Sequence, residues 1–431
     1  MSVEPPAGPP APPVDPPVDP LRWPDVARQP NAPARAAVAR RLLGRIAGQR
    51  GLRVELPDGR ALVPAPAGAP VLRLRRPQAF FHRIGAGGLI GFGESYQAGD
   101  WDSPDLVALL ATLAADPEAL VPTGTHWLRR LCLRRTPAAE LSTAENARGN
   151  IRRHYDLSNE LFALFLDPTM TYSAAVFPTD RAHAPLAGPA NLAEAQRRKI
   201  DRLLDLAHVG PGSRVLEIGT GWGELALRAA ARGARVVSLT LSEEQLLLAR
   251  HRIRAAGQAD RAEVRLCDYR AAEGEFDAVV SVEMIEAVGR PFWPAYLRTI
   301  DRVLGPGGRV ALQAITMPHQ RMLASSGTYT WILKYVFPGG QIPSVQAIEE
   351  TAARATRLRV TARCGYGAHY AETLRLWRER FTERAAEVAE LGFDQAFRRM
   401  WEFYLAYSEA GFRTGYLDVQ QFLLTREGLA R

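Results

Sequence analysis

The nine residues Val215-Leu216-Glu217-Ile218-Gly219-Thr220-Gly221-Trp222-Gly223 constrain this chain more than any others. A short β-forming run ends in three glycines within five positions, and the residues that follow, 224–232, have the apolar spacing of a helix. A tight strand-to-helix turn explains one glycine; three let the backbone come close to a ligand. The spacing departs from the dinucleotide fingerprint, because the third glycine follows the second by two residues and Trp222 fills the clearance that a pyrophosphate needs. The loop predicts a ligand without phosphates, lying flat over the glycines at the carboxyl edge of a sheet.

Downstream, strands are expected at 214–218, 235–239, 262–266, 276–282 and 310–314. Helices are expected at 224–232, from a Ser242 cap to about 256, and at 292–304. This alternation makes a parallel sheet covered by helices on both faces. An aromatic insertion (328–338), a strand near 359–364, helices to 412 and a last strand in 417–424 complete the chain. S-adenosylmethionine suits such a loop, as it does in class I methyltransferases. The second strand should end in groups for its ribose hydroxyls, and reads Thr240-Leu241-Ser242-Glu243-Glu244-Gln245. Ser242 reads equally as a helix cap with acids favouring the helix dipole. Asp268 and Tyr269, after the third strand, are placed to hold and flank an adenine.

Nine prolines crowd residues 1–20, which therefore read as a disordered arm. Residues 21–140 read as a small α+β module: strand-like runs at 52–56 and 71–74, a glycine-rich stretch at 85–101, then a helix opened by Asp102-Ser103-Pro104-Asp105 with Asp102 or Ser103 as cap. Residues 127–135 interleave Arg129, Arg130, Arg134 and Arg135 with leucines, a pattern able to lie on an anionic membrane or to pack as an ordinary helix. Of 54 basic residues only Lys199 and Lys334 are lysines, and the net charge is +8. No nucleic-acid-binding motif accompanies that charge, so an anionic membrane is the expected partner. No apolar run is long enough to span a bilayer, and Cys132, Cys267 and Cys364 match no metal or redox spacing. The expectation is a cytoplasmic protein, peripherally associated with the inner face of the membrane, with no metal.

The motifs Gly91-Phe92-Gly93-Glu94-Ser95-Tyr96, Arg153-His154-Tyr155-Asp156-Leu157-Ser158-Asn159, Thr171-Tyr172-Ser173, the glycine loop, Thr240-Leu241-Ser242 with Gln245, and 281–289 together resemble the cyclopropane fatty acid synthase and mycolic acid cyclopropane synthase family. The resemblance covers almost everything but the proline arm. It implies an α/β, Rossmann-like class I fold with a seven-stranded, mostly parallel sheet, occupying 141–431 with an acyl-chain tunnel, behind a small N-terminal α+β domain that faces lipid. It further implies that Tyr172, Ser173, Glu217, Gly219, Gly221, Gly223, Thr240, Ser242, Gln245, Asp268 and Tyr269 contact S-adenosylmethionine.

The departures from that family are informative. Its members are similar in holding a bicarbonate base with a cysteine, a glutamate, a histidine and a tyrosine. Here Glu286 and Tyr370 fall at the last-named acid and phenol, but Ala174 stands at the cysteine and Gln313 at the histidine, while Glu283 adds a carboxylate three residues before Glu286. Two ion ligands are missing, which argues against bicarbonate. Together with 312–319 and 329–332, this looks most like the tuberculostearic acid branch of actinobacteria. That likeness implies methylenation at mid-chain of an oleoyl phospholipid, with a separate flavin-dependent reductase saturating the product. Cyclopropane synthesis is the alternative, a catalytically inactive lipid-binding partner the second, and a homo-oligomer is left open. Glu283 is expected to serve as base, facing one pocket with Glu286 if that segment is helical. Tyr172, Trp331, Tyr335, Tyr366, Tyr370, Phe403 and Tyr407 are the candidates to face a carbocation.

Overall fold

The computed structural model describes residues 18–115 and 158–426, with the isolated positions 137, 143 and 146. The expected arm up to residue 17, the Arg129–Arg135 segment, the motif at 153–157 and the domain boundary at 140 lie outside the described residues.

The N-terminal unit opens with helices α1 (Pro24–Ala27) and α2 (Pro33–Arg50). It continues through β1 (Arg53–Glu55), β2 (Ala61–Val63), β3 (Val71–Leu74), α3 (Pro77–Gln97), β4 (Trp101–Asp102) and α4 (Leu106–Ala114). Its sheet has the order β2-β1-β3-β4, with β1 and β3 parallel and the outer pairs antiparallel. The glycine-rich stretch is mostly helix: α3 runs through it and turns at Gly88, whose φ of 57° and ψ of −129° suit glycine. The expected cap of α4 is corrected. Asp102 is drawn into β4 opposite Arg73 and pairs with Arg75, so Asp105 caps instead, accepting from the Ala108 amide at 2.9 Å.

The second unit is a seven-stranded sheet of β5 (Arg214–Ile218), β6 (Arg235–Thr240), β7 (Ala262–Leu266), β8 (Phe276–Val282), β9 (Leu304–Thr316), β10 (Leu358–Gly365) and β11 (Asp418–Arg426), in the order β10-β11-β9-β8-β5-β6-β7. Strands β5 to β9 are parallel, and β11 runs antiparallel between β9 and β10. Strand β9 starts ahead of the expected 310: Phe276 pairs with Leu304 and Ala278 with Arg309, and the glycine-rich residues 305–308 bulge between them. Strand order reverses at β5, flanked by β6 and β8, and this switch point opens a cleft at the carboxyl ends of those strands.

The two units share one hydrophobic core. A continuous cluster takes Phe80 and Trp101 from the first, and Phe162, Trp377 and Phe403 from the second. The aromatic insertion forms the seam. A side chain at Gly93 would put its Cβ 2.4 Å from the Trp331 ring, so only glycine lets α3 approach it. Around that contact Trp331 Nε1 donates to Gln97 at 2.8 Å, Tyr335 Oη to Glu94 at 2.9 Å, and Lys334 Nζ reaches Glu94 at 2.6 Å and Asp25 at 2.7 Å. No helix among the described residues is long and apolar enough to cross a membrane.

Candidate active site

The loop between β5 and the helix Glu224–Ala231 has the conformation its glycines predict. Gly219, Gly221 and Gly223 have φ of 96°, 52° and 90°, where side-chain-bearing residues are strained. Their surroundings differ. A Cβ on Gly219 would meet Met284 at 2.5 Å and one on Gly223 would meet Ala249 at 3.1 Å, whereas one on Gly221 would point into open space. That space is a cavity lined in part by Tyr172, Ser173, Lys199, Glu217, Gly219, Gly221, Thr240, Gln245, Tyr269 and Glu283.

Three expected contacts stand beside this cavity rather than in its wall. Gly223 is turned against Ala249. Ser242 is wholly buried as the cap of the helix Glu243–Ala255, its Oγ accepting from the Gln245 amide at 3.2 Å. Asp268 accepts from the Arg270 amide at 2.9 Å and pairs with its guanidinium. Thr240 Oγ1 donates to Gln245 Oε1 at 3.0 Å, so the two line the cavity as a pair. Glu217 accepts from Ser238 at 2.6 Å, and burial pushes its carboxyl up to about 8. The Tyr269 hydroxyl is buried with no hydrogen-bond partner, and a polar ligand group would satisfy it. The open face of Gly221 and this orphaned hydroxyl fit S-adenosylmethionine.

At the floor of the cavity β8 ends at Val282, and the next residue, Glu283, has a φ of 53°. The helical relation expected between Glu283 and Glu286 does not hold, because a left-handed residue closes the strand and the short helix Ile285–Val288 starts beyond it. The left-handed turn instead aims the Glu283 carboxylate at three donors: the Ala174 amide at 2.9 Å, Gln313 Nε2 at 2.8 Å and Tyr370 Oη at 2.8 Å. Gln313 is itself oriented by Gln421, which donates to its Oε1 at 3.0 Å. Glu286 has the Ile315 amide on one oxygen and no partner on the other; burial, reinforced by the charge of Glu283, pushes it up to about 8. Burial raises Glu283 too, but the Lys199 ammonium and the three donors oppose that rise. Three hydrogen-bond donors and the Lys199 ammonium thus favour the ionised form of Glu283, whereas Glu286 has a single amide and a like charge beside it.

Lys199, which pattern reading passed over, is fully buried on the helix Leu192–Leu206 and donates to Ser173 Oγ at 2.5 Å. Burial drives it down to about 8, against the pull of Glu283, Asp167 and Glu217. Its rarity in an arginine-rich chain was the available signal. Among the aromatic candidates, Tyr172 lines the cavity and Tyr370 holds Glu283, while Trp331, Tyr335 and Phe403 build the seam. Tyr407 is 42% exposed and stacks on Phe403, and Tyr366 packs on His369.

Comparison with known proteins agrees with this geometry. The family model described as mycolic acid cyclopropane synthetase matches residues 142–422. The chain is 56% identical over 410 residues to the tuberculostearic acid methyltransferase UfaA1 of Mycobacterium tuberculosis, covering 94% of this chain and 96% of that one. It is 32% identical to the cyclopropane-fatty-acyl-phospholipid synthase of Escherichia coli, over 82% of this chain and 87% of that one. Among solved structures, the M. tuberculosis cyclopropane synthase MmaA2 superposes with a TM-score of 0.58 at 32% identity, over 67% of this chain and 98% of that one. The mycolic acid cyclopropane synthase CmaA1, solved with SAH and CTAB, gives 0.58 at 31%, over 64% and 97%. The sheet order, the glycine loop and these likenesses lead to one conclusion: the chain belongs to the mycolic acid cyclopropane synthetase family and has the fold of an S-adenosylmethionine-dependent methyltransferase.

Proposed function

We propose that this enzyme transfers a methyl group from S-adenosylmethionine to the cis double bond of an oleoyl phospholipid and releases a mid-chain 10-methylene acyl product, with Glu283 as the base. The observation that carries the product assignment is the convergence on Glu283. Ala174, Gln313 and Tyr370, three places where cyclopropane synthases are expected to hold bicarbonate, all donate to its carboxylate. Bicarbonate does not fit: its donors are taken, and a second anion would be repelled by a buried carboxylate.

When bound, the donor supplies an electrophilic sulfonium methyl. The residues of the chain position the alkene, exclude water and receive a proton. A new C–C bond to the methyl uses the alkene π pair as the sulfur–methyl bond breaks and its electron pair stays on sulfur, and a cation is left on the neighbouring carbon. A hydride shift moves the cation to the methyl-bearing carbon. Loss of a methyl proton to Glu283 then forms the exocyclic double bond. Tyr172, with its ring at the cavity and its hydroxyl 2.8 Å from that of Tyr404, offers an aromatic face to the cation.

The lipid is drawn from an anionic membrane, and a separate flavin-dependent reductase saturates the product. The deciding experiment gives purified enzyme, donor and dioleoyl phospholipid without reductase. Methylene and cyclopropane products are isomers, so the readout is ozonolysis or the vinylidene proton signal in NMR. A cyclopropane would overturn the assignment, and absence of any turnover would favour a lipid-binding partner.

A further inference from the structure

The charges of the N-terminal unit are unevenly matched. Residues 21–114 contain thirteen arginines, no lysine and seven carboxylates. Each carboxylate is already engaged. Glu55 holds Arg53 and Arg73, Asp58 holds Arg60, Asp100 holds Arg76 and Arg83, and Asp102 holds Arg75. Asp25 and Glu94 hold Lys334, Asp105 caps α4, and Arg22 reaches across to Asp394.

Helix α2, together with Arg28 just before it, is the exception. Its 18 residues include five arginines and no acid, and Arg35, Arg40, Arg41 and Arg45 are exposed without a carboxylate partner among the described residues. Arg40 lies over the Phe81 ring, 6.0 Å from its centre. The inner face, Ala36, Ala39 and Ala47, is buried. Opposite it, at three- and four-residue spacing, stand Val38, Arg41 and Arg45, with the small residues Ala34 and Ala37 between them and Arg35 and Arg40 on the flanks. Val38 is 55% exposed. Gly85 presses on the backbone of Arg35 and Ala36, and just beyond it the turn at Gly88 presents Leu89 with 76% of its surface exposed. A base composition that favours arginine would scatter arginines over the unit; it would not withhold carboxylates from one helix.

We infer that the outer face of α2, with Leu89 beside it, is the surface by which the enzyme docks on an anionic lipid bilayer. This rests on the lipid-substrate reading and adds to it the site of contact. Small side chains let the helix lie close to the headgroups, the arginines meet lipid phosphates, and Val38 and Leu89 supply apolar anchors without enough surface to make binding irreversible. Each arginine at such a surface is worth about fivefold in partitioning.

The test uses the full chain and extruded vesicles of dioleoyl phosphatidylglycerol or dioleoyl phosphatidylcholine, with a DNA duplex as competitor. Arg35, Arg40, Arg41 and Arg45 are changed together to Gln, and Arg41→Gln with Arg45→Gln serves as the milder variant. Donor affinity and melting temperature verify that both fold. The expected result is sedimentation with the phosphatidylglycerol vesicles that fades with salt and falls by roughly several hundredfold in the fourfold variant, with a smaller fall in the double. Turnover should drop on vesicles but stay within about twofold on the same lipid dispersed in detergent, because lipid delivered singly needs no docking. Unchanged vesicle binding in the fourfold variant, salt-independent binding to both lipids, or preferential binding of the duplex through these arginines would overturn the inference. If dispersed lipid is not methylated either, the functional reading fails by itself, and sedimentation still decides the docking face.

Discussion

Lys199 Nζ and Ser173 Oγ lie 2.5 Å apart in a pocket with no solvent around the ammonium. The same ammonium is the main charge opposing the rise of the Glu283 carboxyl. Replacing Lys199 by Met removes the charge while keeping the length. The acid limb of the pH–rate profile for methyl transfer should then move to higher pH, because Glu283 loses the partner that favours its ionised form. An unmoved limb would show that the ammonium serves packing alone.

Gly221→Val tests the donor site. A branched side chain there enters the open cavity and also demands a φ of 52°, which costs about 1–2 kcal/mol in stability. Calorimetry should find a folded protein whose donor affinity has dropped beyond measurement; retained affinity would move the donor elsewhere.

Glu283→Gln keeps the size and the backbone turn but removes the proposed base. Product formation should fall by about 10²–10⁴-fold, with donor affinity nearly unchanged. A complementary variant combines Glu283→Gly, Ala174→Cys and Gln313→His, vacating the carboxylate and restoring the family's ion ligands. Its turnover should depend on added bicarbonate, a dependence the native enzyme should lack.

Two buried carboxyls set the pH dependence of stability. Glu217 and Glu286 are each pushed up to about 8, so between the unfolded value of about 4.5 and that point the folded chain binds more protons than the unfolded chain. Stability from these groups is therefore full at the acid end of this window and is lost as pH rises through it. The melting temperature of Glu286→Gln should fall less from pH 5 to pH 8 than that of the native chain. Parallel curves would place its titration outside the window.

Gly93→Ala probes the seam. Its Cβ would sit 2.4 Å from the Trp331 ring, so the helix or the ring must shift, at about 1–3 kcal/mol. Thermal melting should register a loss of several degrees, whereas Gly44→Ala, on the open face of α2, should cost nothing or stabilise.

The sheet was legible because each βαβ turn carries its own local signals: strand, glycine or cap, then a helical face. Ser242 is an instance, a hydroxyl before two acids that caps as its position suggests. Glu283 was legible as an extra carboxylate, but its geometry was not. A left-handed turn at a glutamate has no local signature and is set by three donors that come from residues 174, 313 and 370. Lys199 was hidden for the related reason that burial on a helix is decided by what packs over it. The cap of α4 was misplaced because Asp102, Ser103 and Asp105 are equivalent by residue type, and pairing of Asp102 with β3 decides among them.

The glycine contact between α3 and Trp331 bears on how the molecule melts. MmaA2 and CmaA1 are matched almost in full by about two thirds of this chain, and an N-terminal unit with a core of its own would come apart as a separate calorimetric step. A hydrophobic cluster that passes through the seam without a break leaves no boundary at which one part can loosen while the other stays closed. The heat-capacity trace should show a single peak, and a damaged seam should weaken the methyl-transfer site from more than one helix away.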